Sequence, residues 1–258
     1  MRIATWNVNS LKVRLPRVME WLEYAKPDVL CMQETKCKED TFPYMDFQTL
    51  GYDGAQHGAG QWNGVGLISR VGLEDVVTGF TDDLEEDAVE SRAMWATCGG
   101  VRVGCLYVPN GRTLDDPHYQ YKLEWLGRLN EMIARDHKPQ EKLVICGDFN
   151  IAPTDLDVWN PKKYIGTTHT SDAERKQLQT MLDWGLVDSF RQIYPEDKVF
   201  SWWDYRAGDF HNGRGMRIDL MLTTKALTDH LRYALIDRNA RKGKLPSDHA
   251  PMFIDVDV

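Results

Sequence analysis

A chain of 258 residues, 42% hydrophobic and 27% charged, is long enough for one large α/β domain and ordinary enough in composition to bury a substantial core. No run approaches the ~18 consecutive apolar residues of a membrane helix, and the start MRIATWNVNS lacks the apolar core and cleavage site of a signal peptide. The net charge of −8 is not that of a protein basic throughout, and five cysteines without a CxxC pair exclude a zinc ribbon or a disulfide framework. They read as reduced thiols, mostly in strands, of a cytoplasmic protein. No linker, repeat or low-complexity stretch divides the chain, so residues 1–258 are expected to form a single domain.

In chain order, RIATWNV (2–8) reads as a strand, and RLPRVMEWLEYA (14–25) as a helix with Leu15, Val18, Met19 and Leu22 on one side. PDVLCMQE (27–34) is again a strand. Strands at 64–70 and near 73–77 follow without a helix between them. Residues 92–108 carry a hairpin signal, two β runs joined at Gly99-Gly100. A helix is expected at about 119–135 and a strand at 142–148. Ser171 and Glu174 form a capping box that opens a helix, and Gly185 closes it. Three strands remain, at 217–224, 232–238 and 250–258. Helix-separated strands mixed with hairpins predict helix-covered sheets with many antiparallel neighbours. Two facing sheets between helical layers suit the pattern, although periodicity leaves the topology open.

Charge is unevenly spread. Residues 82–90 hold six acids and no base, while 205–244 hold nine Lys/Arg against four Asp. The second stretch could form a basic face for a polyanion, or both could be ordinary solvated surface.

Polar residues recur where strands end. Asn7 and Asn9 close the first strand, Glu34 the second, Tyr107 the hairpin, and Asp148 and Asn150 the strand at 142–148. With a side-chain period of two, Asp148 and Asn150 would share one face and Phe149 the other, although Asp and Asn also favour a simple turn. Asp219 interrupts the apolar run RIDLML and would be buried, which is costly without a partner. His249, in PSDHAP before the last strand, is the natural partner, because an Asp on one imidazole nitrogen sets the role of the other. Asn, Glu and Asp oxygens suit Mg²⁺ or Mn²⁺, and an oriented His beside a Tyr hydroxyl suits a transferring phosphoryl group. P-loop, HRD and GxSxG signatures are missing, so the set favours metal-assisted phosphodiester hydrolysis by water.

The segments TWNVNS (5–10), PDVLCMQETK (27–36), YVPNG (107–111), CGDFNIAP (146–153), FSWWDYR (200–206), RGMRIDLML (214–222) and PSDHAP (246–251) resemble, in order and spacing, the exonuclease III family of AP endonucleases. GDFN and SDHAP are shared with the wider deoxyribonuclease I-like phosphoesterases; the WWDYR and RGMRID blocks narrow the match. The resemblance spans essentially the whole chain. It implies a four-layer α/β sandwich, two facing mixed β-sheets flanked by helices, with the site at one end. It further implies a monomeric DNA-repair nuclease that cuts double-stranded DNA 5′ to abasic sites and trims 3′ ends, including blocked ones, in the 3′-5′ direction. The implied cofactor is Mg²⁺, with Mn²⁺ as an alternative.

Residue by residue, the resemblance implies Glu34 as principal metal ligand, with Asn7 and Asp248 close by and Asp148, Asn150 and His249 completing the metal and phosphate environment. Asp148 would activate the attacking water or protonate the leaving group, and Asn150 would hold a phosphate oxygen. His249, oriented by Asp219, would contact the same phosphate, and Tyr107 would add a hydrogen bond. Trp202, Met216 and Ile218 fall where the family shapes a pocket for the abasic sugar, and Arg112 where it places a DNA-contacting base; Trp203 is expected in the core. The alternatives are a phosphodiesterase of a small phosphorylated molecule and a non-catalytic nucleic-acid-binding regulator, which would be expected to lack part of this set.

Overall fold

The computed structural model describes residues 1–81 and 90–258; apart from Glu90, the acidic run at 82–90 lies outside them. The strands are β1 Arg2–Asn7, β2 Val29–Gln33, β3 Asp53–His57, β4 Val65–Ser69, β5 Glu74–Thr78, β6 Ala93–Cys98, β7 Val101–Tyr107, β8 Leu143–Asp148, β9 Leu186–Asp188, β10 Asp219–Thr224, β11 Leu231–Ile236 and β12 Met252–Val256. The helices are α1 Leu11–Ala25, α2 Tyr44–Thr49, α3 Pro117–Asp136, α4 Asp172–Trp184, α5 Ser189–Ile193 and α6 Lys225–Thr228.

Two six-stranded sheets result, in the orders β11-β12-β1-β2-β4-β3 and β5-β6-β7-β8-β10-β9. Each contains one parallel pair, β1 with β2 and β7 with β8, while the other neighbours are antiparallel. The core between the sheets is built from the inward faces of both, among them Ile3, Val29, Leu67, Met94, Val103, Val144 and Met221. Trp21 and Leu22 of α1 cover the outside of the first sheet on Trp6, Leu30 and Ile68. Leu126, Leu129 and Ile133 of α3, with Leu178 and Met181 of α4, cover the outside of the second on Leu106, Ile145 and Leu220. Each such fully buried aliphatic side chain contributes about 1.5–3 kcal/mol. The layers therefore run helix, sheet, sheet, helix.

Helix α1 begins three residues before the expected start at 14. Its entry carries no side-chain cap; Ser10 and Leu11 donate their amides to the Glu34 and Thr35 carbonyls instead, a tertiary substitute for a local signal. Helix α3 also begins early, at Pro117, capped by the Asp116 carboxylate on the His118 amide. Helix α4 has the expected capping box and ends at Gly185. The short elements α2, β3, β9, α5 and α6 are additions to the expected list.

The topology positions polar groups at one end of the sandwich. Asn7 pairs with Gln33 at the exits of β1 and β2, and Tyr107 with Asp148 at the exits of β7 and β8. Antiparallel β10 places Asp219 opposite Asp148. Gly147 is required here: a Cβ on it would sit 1.9 Å from the Leu106 carbonyl oxygen, at a φ of 149° that side chains avoid.

Candidate active site

Glu34, Asp148 and His249 meet where the two sheets converge, each with a ligand atom within 4.8 Å of the others. Glu34 enters from the first sheet and Asp148 from the second. The amide nitrogen of Asn7 joins them, donating to Glu34 Oε1 and to Asp148 Oδ2, both at 2.9 Å. Asn7 therefore turns its nitrogen, not its oxygen, to the carboxylates; its Oδ1 accepts from the Asn9 amide at 3.0 Å.

His249 donates from Nδ1 to Asp219, 2.8 Å from Oδ2, and its Nε2 lies 3.7 Å from Asp148 Oδ2. Burial by itself would lower the imidazole pKa, but the Asp219 and Asp148 carboxylates outweigh it and hold the ring's value up to about 10. His249 is thus a cation at neutral pH, with Nε2–H facing Asp148. Burial pushes the Asp148 carboxyl up to about 7, against the lowering influence of His249. The Tyr107 hydroxyl is pushed well above the ordinary phenol range by burial and by the charges of Glu34 and Asp148, so it remains a donor. Arg92, paired with Glu90, lies over the Tyr107 ring at 4.8 Å.

Asn150 reaches the site differently from the strand alternation expected for it. Strand β8 ends at Asp148, and Asn150 turns into the left-handed region at φ 50°, its amide donating to Asp148 Oδ1 at 3.0 Å. The turn reading and the functional reading describe one geometry. Asn9, Glu34 and Lys36 also sit at φ 43–51°. Backbone in this region costs ~1–3 kcal/mol per residue and concentrates at functional sites.

Asp248 stands apart from the three-residue cluster. Its Oδ1 accepts from Asn9 Nδ2 at 3.0 Å and its Oδ2 from Trp202 Nε1 at 3.1 Å. The expected pocket residues are placed unequally. Trp202 is half-buried at the edge, whereas Met216 and Ile218 are only 3% and 2% exposed and pack with Ala152 and Val158. Main-chain bridges from Met216 to both Val158 and Trp202 hold that segment between two neighbours, and Trp202 packs against the same cluster. Trp203 is in the core as expected. Arg112 is exposed on the rim, its amide bonded to Asn110 Oδ1 at 3.1 Å and its guanidinium 3.6 Å from Asp116.

Of the nine Lys/Arg in the basic stretch at 205–244, five are paired with acids. Arg206 pairs with Asp204, Arg214 with Asp209, Lys225 with Asp229 and Arg232 with Asp257, while buried Arg217 bridges Asp157 and Asp188. Four of those acids (Asp157, Asp188, Asp204 and Asp257) lie outside the sequence window, which is why a local count overstated the surplus.

Residues outside the expected set also belong to the site. Lys36 donates to Glu34 Oε2 and to Asn9 Oδ1, both at 2.7 Å, so a positive charge already sits against the acid. His169 bonds the Asn150 carbonyl oxygen through Nδ1 at 2.6 Å. Burial and the Lys122 ammonium push its pKa down to about 4, so the ring is neutral at pH 7, and Nδ1 carries its proton because a carbonyl only accepts. The one sequence signal nearby was the Ser171–Glu174 box, which marked a helix start and not a site.

A buried carboxylate raised toward neutrality and a second acid beside it, both facing the same point, suit a divalent cation with oxygen ligands. Glu34 and Asp148 would hold it, with the cationic His249 beside them facing the phosphate and not the metal. Fold and cluster together define a metal-dependent phosphoesterase.

Residues 4–249 match the Endonuclease/Exonuclease/phosphatase family. The exodeoxyribonuclease III of Haemophilus influenzae is 32% identical over 99% of both chains. An AP endonuclease from Archaeoglobus fulgidus superposes with a TM-score of 0.96 at 37% identity, and the 3′ phosphatase NExo from Neisseria, bound to a product DNA hairpin, with 0.95 at 40%. Both superpositions cover 100% of each chain. The chain belongs to the Endonuclease/Exonuclease/phosphatase family and, within it, to the exodeoxyribonuclease III group of AP endonucleases.

Proposed function

We propose that the protein is a cytoplasmic, monomeric DNA-repair nuclease, folded as a single domain. It hydrolyses the phosphodiester 5′ to abasic sites in double-stranded DNA and trims blocked 3′ ends, with Mg²⁺ as its ion. The observation that carries this reading is the convergence of Glu34, Asp148 and His249 from both sheets within 4.8 Å. Similarity over the full chain to an exodeoxyribonuclease III, an AP endonuclease and a 3′ phosphatase supports the substrate class.

A divalent ion bound there would neutralise charge developing on the phosphoryl oxygens. Asp148, its pKa near 7, takes a proton from the attacking water, close to the optimum for a general base at neutral pH. The new bond joins the water oxygen to phosphorus, the bond to the 3′ oxygen breaks, and that oxygen takes a proton from solvent, leaving a 3′-hydroxyl and a 5′ sugar phosphate, while Asp148 later releases its proton to solvent. His249 stays cationic through the Asp219 carboxylate and faces the phosphoryl oxygens from Nε2. Asn150 and Tyr107 donate from the flanks, and Asn7 keeps the two acids at fixed separation. Trp202 and Arg112 contact the DNA at the site's edge.

The test is cleavage of three labelled duplexes, one abasic, one 3′-phosphate-blocked and one intact, each with Mg²⁺ and with EDTA. Cutting of the first two in Mg²⁺ alone is expected. Equal rates in EDTA, or cleavage of a small phosphodiester in preference to all three duplexes, would overturn the reading.

A further inference from the structure

Beneath the Asp148–Asn150 turn lies a buried ion pair that the reaction above does not use. Lys122 projects from α3 and Glu174 from the first turn of α4; both side chains are 0% exposed and 2.5 Å apart. An ammonium has three protons. Those of Lys122 go to Glu174 Oε1, to the Asn150 main-chain oxygen at 2.7 Å and to the Asn110 main-chain oxygen at 3.4 Å. The Asn110 side chain in turn donates to Asn150 Oδ1 at 3.1 Å. The His169 bond gives the Asn150 carbonyl a second donor. Glu174 also accepts from Thr168 Oγ1 at 2.7 Å, the His169 amide at 2.9 Å and Ser171 Oγ at 2.7 Å, binding the 168–171 segment into the same knot. Gly111 allows the close fit: a Cβ there would lie 2.8 Å from Thr168 Oγ1 and 3.1 Å from Lys122 Cδ.

A buried ion pair is weak evidence for stability, because apolar side chains of similar volume often do as well. What sets this one apart is where its remaining protons point. Both carbonyls it holds belong to asparagines at the site, and one of those asparagines is in a left-handed conformation that persists only where its surroundings enforce it. We propose that Lys122, neutralised by Glu174, is a positioning residue that fixes the turn at Asn150; with one Asn150 Nδ2 proton held by the Val108 carbonyl at 3.0 Å, that turn presents the second to the substrate phosphate. The proposal rests on the phosphodiester-hydrolysing reading given above.

The test variant is Lys122→Met with Glu174→Gln, which removes both charges and leaves no buried ion unpaired. In single-turnover cleavage of an abasic duplex in Mg²⁺, the saturated rate falls about 10²-fold, the scale of a misplaced transition-state donor, while duplex affinity changes less than about twofold. In an Asn150→Ala background the same pair costs less than about threefold, since residues acting as a unit are non-additive. Unchanged turnover, or full additive loss in that background, overturns the proposal.

A second readout needs no cleavage: amide hydrogen exchange in EDTA. Faster exchange confined to 108–112, 148–152 and the 168–171 segment tied to Glu174 supports positioning; no change at 108–112 and 148–152, or uniform acceleration over α3, α4 and the sheets, overturns it. A wild-type protein that cuts nothing would sink the nuclease reading, and exchange would still decide the role of Lys122. If that double variant does not fold, Lys122→Leu with Glu174→Gln, which likewise leaves no buried ion unpaired, carries both readouts with the same outcomes expected.

Discussion

Asp219→Asn removes one negative charge and almost no volume from the fully buried partner of His249. In the native protein that carboxylate accepts the Nδ1 proton at 2.8 Å and is the largest influence raising the imidazole. A hydrogen bond to a charged group contributes about 1.5–3 kcal/mol. At 1.36 kcal/mol per factor of ten, its loss from the transition state slows cleavage about 10- to 150-fold. With burial then opposed by fewer anions, the imidazole titrates well below its native value of about 10. Two measurements follow on one variant: single-turnover cleavage of an abasic duplex in Mg²⁺, and the His249 ring titration by NMR in EDTA. His249→Ala in the Asp219→Asn background should cost little more than either change alone. Additive losses, or an unmoved titration with reduced rate, would show that Asp219 and His249 do not act as a pair.

Glu34→Ala and Asp148→Ala should each nearly abolish cleavage in Mg²⁺ while keeping a native circular dichroism spectrum, since both truncations lie at strand exits and remove no core volume; wild-type turnover in either would contradict the assignment. Arg217→Met should destabilise the protein by about 3 kcal/mol in urea, because it strips Asp188 of its cation and leaves Asp157 with Arg191 alone; a loss under about 1 kcal/mol would mean that Arg191 suffices for the pair. In EDTA, stability should fall as pH rises from 6.5 toward 10. His249 has a folded pKa above its ordinary value, so its contribution is full below 6.5 and is lost as pH passes through about 10. His249→Gln should flatten that window, and an equal slope in both proteins would remove His249 as the cause. Arg112→Ala should lower the salt slope of duplex binding by about one counterion, and an unchanged slope would take Arg112 off the DNA.

The long elements and most of the site were legible because their signals are local. Short apolar runs marked β1, β2, β7, β8 and β10, and Ser171 with Glu174 marked the start of α4. Asp219 stood out as an acid in an apolar strand, and its burial demanded a partner that His249 supplied. What escaped depends on distant contacts. The entry to α1 is completed by carbonyls of Glu34 and Thr35, and no feature of residues 8–13 announces that. Asp248 neighbours His249 in sequence, but its oxygens accept from Asn9 and Trp202, far away in sequence, which sets it apart from the Glu34–Asp148–His249 cluster. The basic stretch at 205–244 finds acids at positions 157, 188, 204 and 257. Lys122 falls within the helix expected at about 119–135, where nothing local distinguishes a buried lysine from an exposed one.

Ion binding is the step on which the account of the site depends most. Mn²⁺ titrated into wild-type protein and into Glu34→Ala, with the free ion followed by electron paramagnetic resonance, measures it without substrate or turnover. Wild type should bind one high-affinity ion, and Glu34→Ala should bind it more weakly by about tenfold or more, since even outer partners of a metal site are worth about 10- to 100-fold in affinity. Equal affinity in the two proteins would contradict a metal centre built on Glu34 and Asp148.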